Sequence, residues 1–426
     1  MSAVFSVSLL TIAAIVNAVL AFGTQLLLVR LFAPQDYGIF AAAFATVVLL
    51  VPLAGFGIAP FWLKIFSENP TIGRRYLKSS YALMALMSIT VFVLLFGWSY
   101  LQPQDSEMRP MLQILSICIL GQLTIELLNT KFQLEKKILQ LALISLTQNG
   151  LRLGLIGLFV LVLENDISLY HVAISYAASA LMIILLGLFT FRNFVGSHRW
   201  IGFPNTANPP VRISQVAKGS LPFGVALFFQ LVYYQSDVVM LKLLSTPAQT
   251  GYYSIAFTLV AATYILPTVI FQKFFLPKIY IWANLDPARL RRFSVKAGIG
   301  IGVAGLLVAA IYWVASDMSV AFLFGERYAA SASVLRVLSL SIPAIFVSYN
   351  FGAILMTRDS MKTKTYFMGI VALFNILANL FMIPEFGAQG AAVTTLMSAV
   401  LLLMLYFVGA RKAVEKIVNI SVQSGT

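Results

Sequence analysis

Three ionisable residues, Glu126, Arg152 and Asp237, stand inside long apolar runs. A charge among membrane-spanning residues is costly unless it faces an interior, a partner or water, so each is a candidate for ligand binding or charge movement. A guanidinium grips phosphate oxygens through paired hydrogen bonds, which makes Arg152 a candidate for holding an anionic ligand. A structural reading stands beside this one, in which Arg152 pairs with Glu126 on a neighbouring helix. Their depths differ by roughly 10 Å at about 1.5 Å of rise per residue, so contact would need extended side chains or water. Arg30 and Lys242 occupy corresponding places near the ends of their apolar runs, and Asp237 precedes Lys242 by about one and a half turns. These residues either line a polar cleft or reach into the headgroup layer. Asn149 is retained as a cleft candidate because it lies beside Arg152. It belongs to a wider set of amides, with Asn17, Gln25, Gln148, Gln230, Gln235, Asn350, Asn375 and Asn379, that could bond a polar ligand but usually tie helix to helix. Tyr233, Tyr234, Tyr252, Tyr253 and Phe257 could stack on a ligand or anchor at the interface.

Little else in the chain could do chemistry. His171 and His198 are too far apart in the span scheme to suggest a metal pair, and the single cysteine, Cys118, rules out an intrachain disulfide framework. No glycine-rich phosphate loop or nucleophile motif is present. No cofactor, no metal and no catalytic residue are expected.

The elements that carry these residues follow from composition. With 60% hydrophobic residues, 10% charged and a mean hydropathy of +0.90, the 426-residue chain is an integral membrane protein. A spanning helix needs about 20 apolar residues. Twelve such stretches are expected, at 5–32, 38–66, 75–101, 108–132, 138–163, 168–192, 213–244, 251–281, 291–315, 329–357, 363–383 and 388–411. The first has neither a cleavage-site pattern nor a basic flank, so it is expected to be a retained helix. Proline and polar residues in Ala33–Gly38 predict a tight turn between the first two spans.

Charge gives the orientation. With the N-terminus placed inside, only Arg30, Arg109, Arg152, Lys242, Arg327 and Arg336 among the 29 basic residues fall away from the inner segments. Basic residues favour short cytoplasmic loops, so both termini are expected in the cytoplasm. The same bias accounts for most of the net charge of +14 through contact with anionic lipid headgroups, without a nucleic-acid partner.

The chain also looks duplicated. Gly38 precedes Ala43-Phe44 as Gly251 precedes Ala256-Phe257, and Leu112-Gln113-Ile114-Leu115-Ser116 is echoed by Leu335-Arg336-Val337-Leu338-Ser339. The segment from Asn193 to Val211, rich in glycine and proline, separates six spans from six. The expected fold is an all-α polytopic membrane protein of about twelve helices in two pseudo-twofold six-helix bundles, residues 1–192 and 213–426, joined by a cytoplasmic linker at 193–212. Such repeats suit alternating access.

The hairpin Leu27-x-x-Arg30-Leu31-Phe32-x-Pro34-x-Asp36-Tyr37-Gly38-Ile39-Phe40 resembles the signature of the polysaccharide-biosynthesis flippases of the multidrug/oligosaccharidyl-lipid/polysaccharide exporter superfamily. Asp237-x-x-x-Leu241-x-Leu243-Leu244 with Gly251-Tyr252-Tyr253-Ser254-Ile255-Ala256 resembles its second-half counterpart. Phe322-Leu323-Phe324-Gly325-Glu326-Arg327-Tyr328 resembles the family segment before the tenth span. The resemblance implies a transporter in a bacterial plasma membrane that moves a polyprenyl-diphosphate-linked oligosaccharide to the outer leaflet. It implies membrane lipids as surroundings, with a polysaccharide polymerase and other assembly proteins as partners. A cation-coupled multidrug exporter of the same superfamily is the alternative within transporters. A membrane polymerase or ligase would be the enzymatic alternative, but it would need a large outer loop, and all outer loops here are short.

Overall fold

The computed structural model describes residues 3–102, 107–164, 166–196, 211–357 and 360–423. Helices start where the sequence supplies a cap followed by proline, whose missing N–H costs nothing in a first turn. Asn69 caps α4 (Pro70–Tyr100) by accepting from Thr71 N at 3.0 Å, and Thr246 caps α10 (Pro247–Thr263) by accepting from Gln249 N at 3.3 Å. Asp286 caps the long α13 (Pro287–Phe324) through Arg289 N at 2.9 Å. The first turn is tighter than expected. α1 (Ala3–Leu31) ends two residues before α2 (Pro34–Gly55) begins, because Pro34 opens the second helix instead of occupying a six-residue loop.

Breaks inside spans also have local causes. Phe56 and Gly57 adopt positive φ and separate α2 from α3 (Ile58–Glu68). α5 (Met108–Leu115) and α6 (Ile117–Leu134) part at Ser116, whose hydroxyl bonds Gln113 O at 2.7 Å. α14 (Ala330–Ser339) and α15 (Ile342–Ile354) part in the same way, with Ser341 Oγ on Leu338 O at 2.6 Å and a 42° bend. Such back-bonding loosens the helical ladder. The breaks come at and just after the repeated Leu-x-x-Leu-Ser motif, whose serines Ser116 and Ser339 both bond back three residues, the latter to Arg336 O at 2.7 Å, so the repeat has a structural counterpart. Beyond α7 (Ile138–Leu163), α8 (Leu169–Gly196) and α9 (Ile213–Leu244), Pro267 ends the short α11 (Ile265–Pro267) and is followed by a π-helix at Thr268–Phe275, then α12 (Leu276–Leu285).

Ten helices among the described residues are long and apolar enough to cross a membrane, and the bent pair α14 and α15 makes an eleventh. The last helix, α16 (Met361–Gln423), is two segments, because Gly387 leaves helical geometry at φ 54° and ψ −130°. Gln249 Oε1 accepts from Ala388 N at 3.0 Å there, taking up a donor that the break exposes. The twelve expected stretches therefore all appear, in order, in an all-α multi-pass membrane protein.

Contacts group the chain into two compact units, one of Met1–Leu31 and Ile39–Leu231, the other of Phe32–Gly38 and Val232–Thr426. The boundary of this grouping falls inside α9, and of the expected linker 193–212 residues 197–210 lie outside the described residues. In the first unit α1 lies along α7, and α6 along α8. The beginning of α9 belongs there because a Cβ on Gly224 would stand 3.0 Å from Phe56 C, and Val216 joins the buried cluster of Ile58, Phe61, Trp62 and Phe66. In the second unit α13 packs on α14 and α15, and α15 on α16.

Candidate functional site

The candidate residues fall into two polar centres, each within one unit. In the first, α7 buries Arg152 with only 8% of its surface exposed. Its guanidinium carbon lies 4.4 Å from the ring centre of Tyr176 and 5.2 Å from that of Phe44, beside the Cys118 thiol. Aromatic faces attract a cation but do not satisfy its in-plane N–H groups, and among the described residues Arg152 Nε has no hydrogen-bond partner. Among the described residues no ion pair joins Arg152 to Glu126. Glu126 is half-buried on α6, with one carboxylate oxygen 4.0 Å from where a Cβ on Gly55 would stand. The structural pairing of these two residues is thus not present. Asn149, one turn before Arg152, donates to Asn17 Oδ1 at 3.0 Å and ties α7 to α1. Gln148 beside it keeps an unpaired buried Nε2.

The second centre surrounds Asp237, 2% exposed on α9. Tyr253 of α10 donates to Oδ2 at 2.5 Å, Thr395 of α16 donates to the same oxygen at 2.6 Å, and Asn379 of α16 donates to Oδ1 at 2.5 Å. A further layer continues from Asn375, whose Oδ1 accepts from Ser236 at 2.9 Å and from Asn379 at 3.2 Å. Asn375 and Asn379 face one way because they are one turn apart, while Thr395 comes from beyond the Gly387 break. Among the described residues every hydrogen-bond partner of the carboxylate is neutral, and Asn379 Oδ1 is a buried acceptor without a donor. The arrangement can hold one positive charge, a proton or a monovalent cation, within a cage of oxygens. Among the described residues no cluster of three His, Cys, Asp or Glu side chains could hold a metal ion.

Arg30 is exposed and Lys242 half-buried. No ion pair joins Asp237 to Lys242 among the described residues, so the short sequence separation does not bring these charges together. Tyr253, read from sequence as a stacking or anchoring residue, is fully buried with its hydroxyl on Asp237. Asn350 is a helix tie, donating to Ser294 O at 2.8 Å. His171 accepts from Ser168 N at 3.1 Å at the start of α8, and His198 lies outside the described residues.

Parts of the fragments that carried the resemblance, Phe32–Gly38 among them, meet within the second unit. A Cβ on Gly38 would stand 1.8 Å from Pro247 O, and one on Gly251 would stand 2.2 Å from Pro34 O, so the two turns touch backbone to backbone. Tyr328 is fully buried, packs edge-on against Tyr37 and Tyr252 at 6.4 Å each, and donates to Phe32 O at 2.9 Å. The signature is a structural clasp.

Residues 4–280 match the family model described as polysaccharide biosynthesis protein. The chain belongs to the polysaccharide biosynthesis protein family. Within the polysaccharide biosynthesis proteins, the matched region takes in Arg152, Asp237 and both clasp turns, whereas Asn375, Asn379 and Thr395 lie beyond it. A curated relative, the probable flippase AglR of Haloferax volcanii, is 26% identical over 198 residues, which is 45% of this chain. The chain spans 41% of the length of that relative. Among solved structures the fold is similar to lipid II flippase MurJ in its inward closed conformation, with a TM-score of 0.71 over 96% of this chain and 89% of that one at 14% identity. It is also similar to an inward-facing multidrug resistance MATE family transporter of the MOP superfamily, with a TM-score of 0.65 over 95% and 96% at 15% identity. These likenesses are of fold.

Proposed function

We propose that the protein moves a polyprenyl-diphosphate-linked oligosaccharide from the cytoplasmic to the outer leaflet of a bacterial plasma membrane, supplying O-antigen, capsule or exopolysaccharide assembly. The observation that carries this reading is Arg152, a buried guanidinium without a carboxylate partner among the described residues, in a family named for polysaccharide biosynthesis. An unpaired cation in an apolar span is expensive, and an anionic diphosphate would offset that cost when the cycle admits it. Movement by alternating access would let two helical bundles expose the site to each side in turn, with both termini cytoplasmic and a polymerase receiving the product.

The test is deletion followed by lipid analysis. A lipid-linked glycan is expected to accumulate on the inner leaflet, and normal distribution between leaflets would overturn the proposal. In complementation, Arg152→Gln should lower export about tenfold or more at unchanged protein abundance, while Arg152→Lys retains an intermediate rate. Loss of protein, rather than of export, in Arg152→Gln would assign Arg152 to structure.

A cation-coupled multidrug exporter is a second reading, favoured by the oxygen cage around Asp237. It predicts drug hypersensitivity, without glycan accumulation, in the deletion strain. Neighbouring glycosyltransferase genes would favour the flippase.

A further inference from the structure

A groove of about 820 Å³ opens in the second unit between α13, α15 and the last segment of α16. This is the size of a small-molecule site. One wall is the α13 stripe Arg291, Val295, Gly298 and Ile299, and the facing wall is the α16 stripe Met404, Phe407 and Arg411. The two helices run in opposite senses along the groove, yet each stripe carries its arginine at the same end. From Arg291 to Ile299 and from Leu403 to Arg411 the rise is alike, roughly 12 Å. Phe351 and Phe407, with rings 5.3 Å apart, close the floor. Val295, Ile299 and Met404 are 57%, 65% and 59% exposed, an apolar lining that is left uncovered by the chain.

We propose that this groove is a binding site for an anionic glycerophospholipid, with an acyl chain along the apolar walls and the phosphodiester between Arg291 and Arg411. The charge at the mouth chooses the occupant. Arg411 Nε donates to Glu415 Oε1 at 2.8 Å, so two arginines and one glutamate leave a single net positive charge. That complements a monoanionic phosphodiester such as phosphatidylglycerol. It is insufficient for a polyprenyl diphosphate and gives no advantage to a zwitterionic headgroup. Basic pockets between spanning helices on the cytoplasmic side are suited to anionic headgroups, and both arginines lie on the side expected to be cytoplasmic. Binding requires no transport step, so the proposal stands apart from the flippase reading.

The experiment is native mass spectrometry of the full-length delipidated protein titrated with dioleoyl-phosphatidylglycerol, dioleoyl-phosphatidylcholine or undecaprenyl diphosphate. The wild type is expected to prefer phosphatidylglycerol to phosphatidylcholine. Arg291→Gln with Arg411→Gln should reduce that preference by about thirtyfold, at the strength of two basic residues near a headgroup. Arg291→Lys with Arg411→Lys should keep most of it. Val295→Trp, which fills the groove without changing charge, should weaken both lipids. An unchanged preference in the Gln pair overturns the site. Stronger retention of undecaprenyl diphosphate than of phosphatidylglycerol, lost in the Gln pair, assigns the groove to the carrier and overturns the stated occupant. A lipid-independent dimer abolished by Val295→Trp assigns it to a second copy and overturns it likewise.

Discussion

Asp237 and Arg152 show how much a single residue can reveal. Both were legible in sequence because a charge is rare in an apolar run, whereas the groups that surround them were not. Hydroxyls in spanning helices commonly bond their own ladder, as Thr46 bonds Ala42 O at 2.8 Å, so Thr395 and Tyr253 carried no signal that they reach Asp237. The spacing of Asn375 and Asn379 was visible, but an i, i+4 amide pair has no stated partner until the fold supplies one. Truncation separates the contributions. Asp237→Ala would remove the acceptor on which three buried donors converge, leaving Tyr253 with Thr395 Oγ1, Thr395 with Ala391 O and Asn379 with Asn375 Oδ1 alone, and should lower the thermal midpoint in detergent more than Asp237→Asn. In the Asn variant the Tyr253 and Thr395 hydroxyls can turn to accept from the amide. Equal losses in the two variants would show that the charge itself, rather than the donors, is what the site requires for folding. We further propose that Asp237→Asn alters the inward-to-outward balance more than it alters folding, and that spin-label distances across the outer faces will report the shift.

At the scale of elements, starts were more legible than breaks. A cap followed by proline announces α4, α10 and α13, whereas the division of α14 from α15 combines Pro343 in the first turn of α15 with the Ser341 hydroxyl turned back on its own helix, and a proline inside an apolar run does not by itself say whether the span bends or parts. The glycines sort into two classes that sequence cannot separate. Gly38→Ala and Gly251→Ala place a methyl against backbone that cannot yield, so each should destabilise by about 1–3 kcal/mol or more. A Cβ on Gly97 of α4 meets nothing within 4 Å. Gly97→Ala should therefore be neutral or stabilising by up to about 1 kcal/mol, from helix propensity alone. Thermal-shift measurements on the three variants check the sign of each change, and a destabilising Gly97→Ala would mean that this face of α4 is covered by something in the membrane.

For the whole molecule, composition and period were sufficient for the membrane class and the succession of twelve stretches, because hydrocarbon leaves the backbone few alternatives to helix. Grouping by contacts was not legible, since nothing in α9 marks Leu231 as a boundary; the packing of Val216 and Gly224 on the α3 region decides it. Orientation remains a proposal drawn from charge. Single cysteines in the 193–211 and 102–107 segments, in a Cys118→Ala background, should react differently with an impermeant thiol reagent, and equal labelling in intact cells would reject the arrangement. We also propose that replacing Arg30 and Lys242 together by Gln slows export more than either change alone; wild-type export from the double variant would leave them as headgroup anchors. The clasp turns have a different consequence, in the history of the gene. Duplicated segments ordinarily drift apart because each can accept substitutions without regard to the other. At Gly38 and Gly251 each turn forms the wall against which the other is fitted, so a side chain gained at either position meets backbone that the other turn cannot withdraw. Across relatives both positions are expected to stay glycine, held together as one inherited character long after the rest of the repeat has become unrecognisable.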